Sequence, residues 1–342
     1  MLILGLESSC DDSAAAIVGS DRRIVAHAIV SQNAAHQPYG GVVPEIAARA
    51  HVEILPGLIR RVIDEAGIEV GQVDAIAGTA GPGLIGGVMV ALLAGKGLAL
   101  ATGKPLIAVN HLEGHALSPR LVDPALEFPY LLLLVSGGHC QLLEVAGVGR
   151  YRRLATTIDD AVGEAFDKAA KLLGLDYPGG PALEALAAEG DPTAVPLPRP
   201  LFGSPEPHFS FAGLKSAVQR AVASGDHRPA DIAASFQQAV IDCLVDRTSL
   251  ALATSDAPSL VVAGGVAANR EIRAALEQLA VSSGRRFSVP PAWLCTDNAA
   301  MIAWAGAERF AAGLTDPLDV PARARWPLDQ SAEKVRGAGV KA

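Results

Sequence analysis

Two histidines, His111 and His115, are four positions apart in the sequence His-Leu-Glu-Gly-His. In a helix this spacing places both imidazoles on one face, where together they could bind a divalent metal. Histidines on a helix surface or at a helix cap have the same spacing, so a third ligand is needed. Asp297, at a predicted helix start, is the candidate, and its alternative role is that of an N-cap.

The position of Glu113 argues against a metallopeptidase. In the His-Glu-x-x-His motif the glutamate directly follows the first histidine, so that it can act on a metal-bound water. Here Leu112 occupies that position, and Glu113 lies about 200° around a helix from His111. We therefore expect no peptidase activity.

Two glycine-rich turns follow predicted strands and could bind an anion. In the first, 136–139, glycines would let backbone N–H groups approach a phosphate, although an ordinary hairpin turn has the same residues. In the second, Gly264 and Gly265 precede a helix that begins near Asn269, and such a helix start favours negative charge. Its alternative is a tight turn with Asn269 as the cap.

Two further segments carry polar side chains that could contact a nucleotide. Asp167, on a predicted helix, and the turn 177–180 after it could bind ribose or substrate hydroxyls. An exposed acidic helix face is the simpler interpretation of Asp167. The turn 7–13 joins two predicted strands and could line a phosphate site, but turn formation alone also explains its composition.

The elements that would position these residues follow from the hydrophobic pattern. In the first third, the predicted strands are 2–6, 14–18, 24–30, 73–79 and 106–109, and the predicted helices are 44–66 and 84–101. A similar order begins again at Tyr130, with strands 130–135, 141–145, 151–156 and 260–263 and helices 160–173, 231–252, 268–281 and 297–310. The sequence therefore predicts two repeated α/β halves, which would enclose a ligand-binding cleft.

Composition limits the class of protein. The chain has 342 residues, 50% of them hydrophobic and 4% aromatic, which suits two domains with helices packed on parallel or mixed sheets. The net charge of -8 argues against binding nucleic acid unaided, because phosphate contacts require clustered basic residues. The basic residues that could form such a cluster, though a solvated surface explains them better, are Arg150, Arg152, Arg153, Arg323, Arg325, Lys334, Arg336 and Lys341.

Four cysteines without paired spacing predict reduced thiols and a cytoplasmic protein. The first apolar residues have no basic residue before them and are followed closely by Glu7 and Asp11, so we expect no signal peptide. The apolar stretch 84–101 is interrupted by glycines and Lys96, which predicts a buried helix and no membrane span.

These motifs, in this order, resemble the TsaD family, the tRNA N6-adenosine threonylcarbamoyltransferases. The resemblance covers nearly the whole chain. The matching stretches are 7–12, 40–45, 81–84, 111–115, 135–139, 163–168, 177–180, 209–215, 264–270 and 295–300.

The resemblance implies an α/β protein with the actin-like ATPase (ASKHA) fold, in which two ribonuclease-H-like lobes surround a central cleft. The lobes would be 1–125 and 126–322, with a proline-rich insertion or flexible loop at 190–207 and a tail at 323–342. It also implies transfer of the threonylcarbamoyl group of threonylcarbamoyl-adenylate to N6 of the adenosine 3′ to the anticodon. The tRNAs concerned read codons that begin with A, and AMP is released.

The resemblance further implies one divalent metal per chain, held by His111, His115 and Asp297, the last of them from the second lobe. The metal would be Fe²⁺, with Zn²⁺ or Mg²⁺ as alternatives. The residues implied to bind the adenylate are Leu134, Val135, Ser136, Gly137, Gly138, Asp167, Gly180 and Asn269. The implied protein partners are TsaB and TsaE, which would help to bind tRNA.

The chain departs from the family pattern in two places. Leu134 and His139 flank Val-Ser-Gly-Gly, where some archaeal and eukaryotic relatives have tyrosine and asparagine, so the bacterial branch fits better. Asp12 and Ser13 replace the usual Glu-Thr, and no role is carried over to Asp12.

We expect the metal to polarise the carbamoyl group while the glycine turns hold the phosphate. Asp11 or His139 would accept the proton from the adenosine amine. The main rival is a regulatory ATPase of the same fold that acts on a protein partner, and the proposed metal ligands argue against it.

Overall fold

The computed structural model describes residues 1–333 and residue 335, so Lys334, Arg336 and Lys341 lie outside the described residues. Two compact units are present. The first contains Met1–Leu126, Gly147–Arg150 and Thr296–Gln330, and the second contains Glu127–Ala146, Tyr151–Cys295 and the described residues after Gln330. The division thus differs from the predicted lobes, because residues 296–322 belong to the first unit.

The bounds of the elements are as follows. The strands are β1 (Leu2–Glu7), β2 (Asp12–Gly19), β3 (Ile24–Ser31), β4 (Ala75–Gly81), β5 (Leu106–Asn110), β6 (Tyr130–Val135), β7 (Cys140–Gly147), β8 (Arg150–Thr156), β9 (Ser259–Ala263) and β10 (Arg286–Ser288). The helices are α1 (Asn33–His36), α2 (Pro44–Ala66), α3 (Ile85–Thr102), α4 (His111–Val122), α5 (Val162–Leu172), α6 (Gly179–Ala187), α7 (Ala212–Ser224), α8 (Pro229–Thr254), α9 (Arg270–Ser282), α10 (Ala292–Cys295) and α11 (Ala299–Ala311).

Both units contain a five-stranded sheet of the same topology. The strand order is β3-β2-β1-β4-β5 in the first and β8-β7-β6-β9-β10 in the second. In the first sheet β1, β2 and β3 are antiparallel neighbours, whereas β1, β4 and β5 are parallel. In the second sheet β6 pairs antiparallel with β7 and parallel with β9, which is parallel to β10. The predicted repeat of one α/β architecture is confirmed.

The parallel strands of the first sheet bring distant residues to one edge. Because β1, β4 and β5 are parallel, their carboxyl ends meet at the same side of the sheet. Glu7 ends β1, Thr79 lies near the end of β4, and α4 starts directly after β5 at His111. The side chain of Asn110 caps α4 by accepting a hydrogen bond from the amide of Leu112 at 2.9 Å.

Helix α11 packs closely on β1 and thereby positions the residues that precede it. A Cβ atom on Gly5 would be 2.5 Å from the carbonyl oxygen of Ala299 and from the amide of Ala303. Only glycine allows this approach of helix to strand. Asn298 caps the helix by accepting a hydrogen bond from the Met301 amide, so Asp297 lies immediately before the first turn.

Helix α3 is only partly buried, so the prediction of a buried helix is only partly correct. By length and composition it could cross a membrane, and one third (33%) of its residues are buried. Its inner side packs against β4 and α2. On its outer side Ile85, Met89 and Leu93 are 45–55% exposed and follow one another at helical spacing.

The proline-rich segment 190–207 lacks helices and strands, but it packs against α8. The amide of Val195 donates to Ser235 at 3.1 Å, and Arg199 pairs with Asp242 at 2.9 Å. Val195 and Leu197 are buried in the core of the second unit. Helices α6 and α7, which border this segment, have no counterpart among the predicted elements.

Candidate metal centre

Three side chains converge at the edge of the first sheet. The Nε2 atoms of His111 and His115 lie 3.3 Å and 3.1 Å from Oδ1 of Asp297. The three candidate ligand atoms, one from each residue, all lie within 4.8 Å of one another. The two imidazole rings are 4.7 Å apart and nearly perpendicular, so both can direct nitrogen lone pairs toward one point. Two imidazoles and one carboxylate suit iron or zinc, whereas magnesium prefers oxygen ligands.

Asp297 reaches this group from the first unit. The sequence assigns it to the second lobe, because it follows the second repeat along the chain. That assignment differs from the structure, in which α11 packs against β1 and α4. The three residues predicted to hold the metal are therefore brought together inside one compact unit.

The sequence does not reveal the part played by Glu7. Its fully buried carboxylate accepts hydrogen bonds from Thr79 Oγ1 at 2.6 Å and His111 Nδ1 at 3.1 Å through Oε2, and from the Ser9 amide at 2.5 Å through Oε1. His111 Nδ1 also lies 3.0 Å from Ser9 Oγ, so this nitrogen faces Glu7 and Ser9 and leaves Nε2 for a metal. Carboxylate partners of this kind orient histidine ligands and increase their basicity.

The charges of His111, Asp297 and Glu7 affect one another strongly in this buried group. Burial alone lowers the pKa of His111, but the carboxylates of Asp297 and Glu7 raise it well above 6.5. Burial raises the pKa of Asp297, but His111 and its hydrogen bonds hold it well below 3.8. Without a metal, His111 is therefore an imidazolium that neutralises part of the negative charge. A cation bound through Nε2 would take the place of that proton.

The turn after β1 is held in place by neighbouring elements. Ser8 Oγ donates to the carbonyl of Gly87 at 2.8 Å, and His51 Nε2 donates to the carbonyl of Cys10 at 3.1 Å. The amide of Gln32 donates to the carbonyl of Asp11 at 3.1 Å. Burial and then the carboxylates of Asp11 and Asp297 raise the pKa of Cys10 well above 9, so its thiol stays protonated. The candidate base Asp11 therefore lies on an ordered turn near the metal ligands.

Asp12, to which the sequence assigns no role, is a second unusual carboxyl group on this turn. Burial, followed by the charges of Asp297 and Asp11, raises its pKa from 3.8 to about 7. Its Oδ1 atom is buried and has no hydrogen-bond partner among the described residues. Such crowding of carboxylates is the expected electrostatic setting for a cation.

Glu113 is turned away from the histidines and serves another purpose. Its carboxylate pairs with Arg309 at 3.0 Å and accepts a hydrogen bond from the Gly149 amide at 3.0 Å. Glu113 is almost completely buried in this pair. Its carboxylate is engaged by these two partners, in agreement with the predicted direction of Glu113 away from the histidines.

The predicted anion-binding residues lie in the second unit. In the turn after β6, the Ser136 amide donates to the His139 carbonyl at 2.8 Å, and Ser136 Oγ accepts from the His139 amide at 3.1 Å. Cβ atoms on Gly137 and Gly138 would meet no protein atom within 4 Å, so both backbones are open to a ligand. Leu134 and Val135 are fully buried in β6, so only their main chain could contribute.

Two glycines, Gly163 and Gly264, allow the start of α5 and the end of β9 to pack closely against this turn. A Cβ on Gly163, in the first turn of α5, would be 2.7 Å from the Ser136 carbonyl oxygen. A Cβ on Gly264, which has a φ of +94°, would overlap the Val135 carbonyl. The turn therefore lies next to the start of α5 and the end of β9, where helix N–H groups favour an anion.

The other predicted binding residues have structural partners. Asp167 Oδ1 accepts a hydrogen bond from the Gly179 amide at 2.9 Å, which fastens the start of α6, and Gly180 follows with open space at its Cα. Asn269 caps α9 through the Ile272 amide at 3.0 Å and donates to Gln237 at 2.8 Å. The alternative interpretation of Asn269 as a cap is thus correct, and both polar atoms of its side chain are engaged.

Glu7→Gln tests the support of the metal ligands. Glutamine places an N–H₂ group where Glu7 accepts hydrogen bonds from His111, Thr79 or Ser9, so His111 loses its fixed orientation. We expect the affinity for Fe²⁺ or Zn²⁺ to fall by about 10- to 100-fold, as measured by competition with a chelating dye. Exposed Glu53→Gln on α2 is the matched control. Equal affinities of wild type and E7Q would show that Glu7 does not act on the site.

Asp12→Asn tests the electrostatics of the turn. The pKa of Asp12 is raised from 3.8 to about 7. Between these two pH values the Asp12 carboxyl therefore keeps its proton in the folded protein but has lost it in the unfolded chain. The stability of the metal-free wild type should therefore fall as the pH rises through the range. The amide of the D12N variant has no such proton, so its melting temperature relative to wild type should rise by a few degrees between pH about 4 and about 8. Asp64→Asn, at an exposed position on α2, should show the same pH dependence as wild type. A difference in melting temperature between D12N and wild type that does not change with pH would contradict the raised pKa of Asp12.

Comparisons with known proteins identify the family of the chain. The family model of TsaD, described as tRNA N6-adenosine threonylcarbamoyltransferase, matches residues 23–304. A protein of that description from Sphingopyxis alaskensis is 74% identical over 342 residues, which cover 100% of this chain and 99% of the relative. One from Novosphingobium aromaticivorans is 69% identical over 348 residues and covers 100% and 99%.

A solved structure supports the fold alone. The ROK family glucokinase from Streptomyces griseus, in complex with glucose and AMPPNP, is 15% identical, with a TM-score of 0.50 and coverage of 91% of this chain and 100% of that chain. The predicted actin-like ATPase fold is confirmed. The chain belongs to the TsaD family of tRNA N6-adenosine threonylcarbamoyltransferases, and it transfers a threonylcarbamoyl group to N6 of adenosine in tRNA.

Proposed function

We propose that threonylcarbamoyl-adenylate is the donor, that the adenosine 3′ to the anticodon is the acceptor in tRNAs reading codons that begin with A, and that AMP is released. The convergence of His111, His115 and Asp297 on one point, with Glu7 behind His111, carries the proposal. We propose iron(II) as the metal. The donor set supports iron or zinc over magnesium.

The reaction is acyl transfer to a poor nucleophile. The N6 amine attacks the carbamoyl carbon of the adenylate, the bond from that carbon to the phosphate oxygen breaks, and AMP leaves. A divalent ion at this centre would supply a Lewis acid that polarises the carbonyl and offsets the negative charge of the departing AMP. The side chains of His111, His115 and Asp297 hold their donor atoms in place before substrate arrives, so little reorganisation is needed.

The second unit is proposed to hold the adenylate. The open backbones of Gly137 and Gly138 would offer N–H groups to its phosphate, and the start of α5 lies beside them. The main chain of Leu134 and Val135, paired in the sheet, and the Ser136 amide, which donates to the His139 carbonyl, would hold this turn in place. Asp167 and Gly180 would contact its ribose or adenine. Asn269 contributes by fixing the start of α9, since its side chain is engaged there.

The proton released from N6 needs an acceptor. We propose Asp11 or His139, each within reach of solvent and each on an ordered turn. Asp11 shares its unit with the metal ligands, whereas His139 closes the glycine turn of the second unit. The variants Asp11→Asn and His139→Gln distinguish the two candidates. The transfer rate should rise with pH as the acceptor loses its proton, and only the variant that lacks the acceptor should lose this rise.

We propose that the protein acts in the cytoplasm with TsaB and TsaE. The four cysteines are free thiols, which fits a reducing compartment. Ile85, Met89 and Leu93 form an exposed apolar stripe on α3, and Val52 on α2, which packs against α3, is also exposed. An apolar stripe of this kind is typical of a surface that a protein partner covers, and we assign it to TsaB.

The double variant Met89→Asp/Leu93→Asp tests this assignment. Both side chains are about half exposed, so the variant should fold, but two charges on the stripe should abolish co-elution with TsaB in size-exclusion chromatography. Val281→Asp, at an exposed apolar position on α9, is the control and should co-elute as wild type does. Retention of the complex by the double variant would place the TsaB surface elsewhere.

The transfer reaction itself is tested with radiolabelled threonine. The chain, supplied with TsaB, TsaE, tRNA and synthetic threonylcarbamoyl-adenylate, should incorporate label into tRNA. His111→Ala should reduce the rate by on the order of 100-fold, and His227→Ala, in the loop before α8, should not change it. Undiminished transfer by H111A would remove the proposed role of the metal, and ATP hydrolysis without transfer would favour the regulatory ATPase.

A further inference from the structure

The segment 318–327, called here the C-terminal strap, crosses the functional edge of the first sheet. The Arg323 amide donates to the Ala80 carbonyl at 2.8 Å, and the Gly83 amide donates to the Ala324 carbonyl at 3.2 Å. A Cβ on Gly81 would overlap the Arg323 carbonyl, so glycine is required for the approach. The strap is therefore fixed against the carboxyl end of β4.

Apolar packing and a lysine fix the two ends of the strap. Val320, Ala322 and Trp326 pack against a small cluster formed by Ala80, Leu92 and Ala108. Lys96, on α3, donates to the Val320 carbonyl at 2.6 Å. Backbone and side-chain contacts thus hold this stretch in one conformation, although it contains no helix or strand.

One asparagine joins the strap to the metal centre. Asn110 caps α4 with its Oδ1 atom and donates from Nδ2 to the Trp326 carbonyl at 2.8 Å. The next residue is the metal ligand His111. The strap is therefore hydrogen-bonded to the residue that precedes His111 and caps the helix of the two histidines.

The strap presents two exposed arginines. Arg323 and Arg325 have no carboxylate partner among the described residues, whereas Arg152, another candidate from the sequence, is paired with Glu144 at 2.8 Å. The Arg323 guanidinium lies over the Trp326 ring, 4.8 Å from its centroid, which restricts its orientation. On a chain of net charge -8, these two exposed guanidinium groups belong to the strap that Asn110 joins to the start of the metal-ligand helix.

We propose that Arg323 and Arg325 bind phosphates of the tRNA backbone and so present the target adenosine to the metal centre. This inference rests on the proposed function. Planar guanidinium groups bind phosphate through paired, charge-assisted hydrogen bonds. Such contacts position a nucleic acid without reading its sequence. Two contacts guide the RNA locally, and the acidic remainder of the chain leaves most of the affinity to protein partners.

The test compares Arg323→Gln/Arg325→Gln with wild type, each assembled with TsaB and TsaE. We expect the Kd for tRNA, measured by fluorescence anisotropy, to rise on the order of tenfold. The slope of log K against log salt should become shallower by about 1.5, as expected for the loss of two phosphate contacts. In the transfer assay the KM for tRNA should rise while kcat and the KM for the adenylate stay near wild type.

Arg23→Gln/Arg61→Gln is the matched control. It removes the same charge from exposed positions, one in the β2–β3 turn at the opposite edge of the sheet and one far along α2, and it should bind tRNA as wild type does. Arg323→Lys/Arg325→Lys should recover part of the affinity, because the charge remains but the paired geometry is lost.

Three results would overturn the inference. The first is an unchanged tRNA Kd and salt slope in the glutamine variant. The second is equal weakening by the R23Q/R61Q control, which would indicate an effect of net charge. The third is a rise in the KM for the adenylate with an unchanged Kd for tRNA, which would assign the arginines to the phosphate of the donor. Because tRNA binding is measured directly, the inference can fail or stand even if the transfer reaction is not the one proposed.

Discussion

The functional edge of the first unit depends on burial of one carboxylate. Glu7 is fully enclosed at the end of β1, and a buried carboxylate is stable only with hydrogen-bond donors around it. Its partners are Ser9 on the following turn, Thr79 on β4 and His111 at the start of α4. A single charge thus sets the relative positions of three strand ends, and the metal ligand is one of the groups that satisfies it.

Much of the fold could be predicted from local signals. Pro44 and Gly67 mark both ends of α2, and its predicted bounds are those observed. Apolar runs between turn residues likewise gave strands close to those of both sheets. Helices α6 and α7 could not be predicted in this way, because they follow turns in proline- and glycine-rich surroundings that favour a loop interpretation.

The candidate site was predictable in its ligands but not in its assembly. Histidines four apart on a helix are a local pattern, so His111 and His115 stand out in the sequence. The unit to which Asp297 belongs depends on the packing of α11 against Gly5, about which spacing along the chain says nothing. Glu7 looks like part of a turn, because its partner His111 is 104 positions away.

The most direct test of the metal centre is X-ray absorption spectroscopy of the iron-loaded chain. Because the converging group consists of His111, His115 and Asp297 and includes none of the four cysteines, the spectrum should show two imidazole ligands, the remaining ligands being oxygen, and no sulfur. In His115→Ala the imidazole contribution should fall to one ligand. A sulfur ligand, or an imidazole signal unchanged in that variant, would contradict the proposed centre.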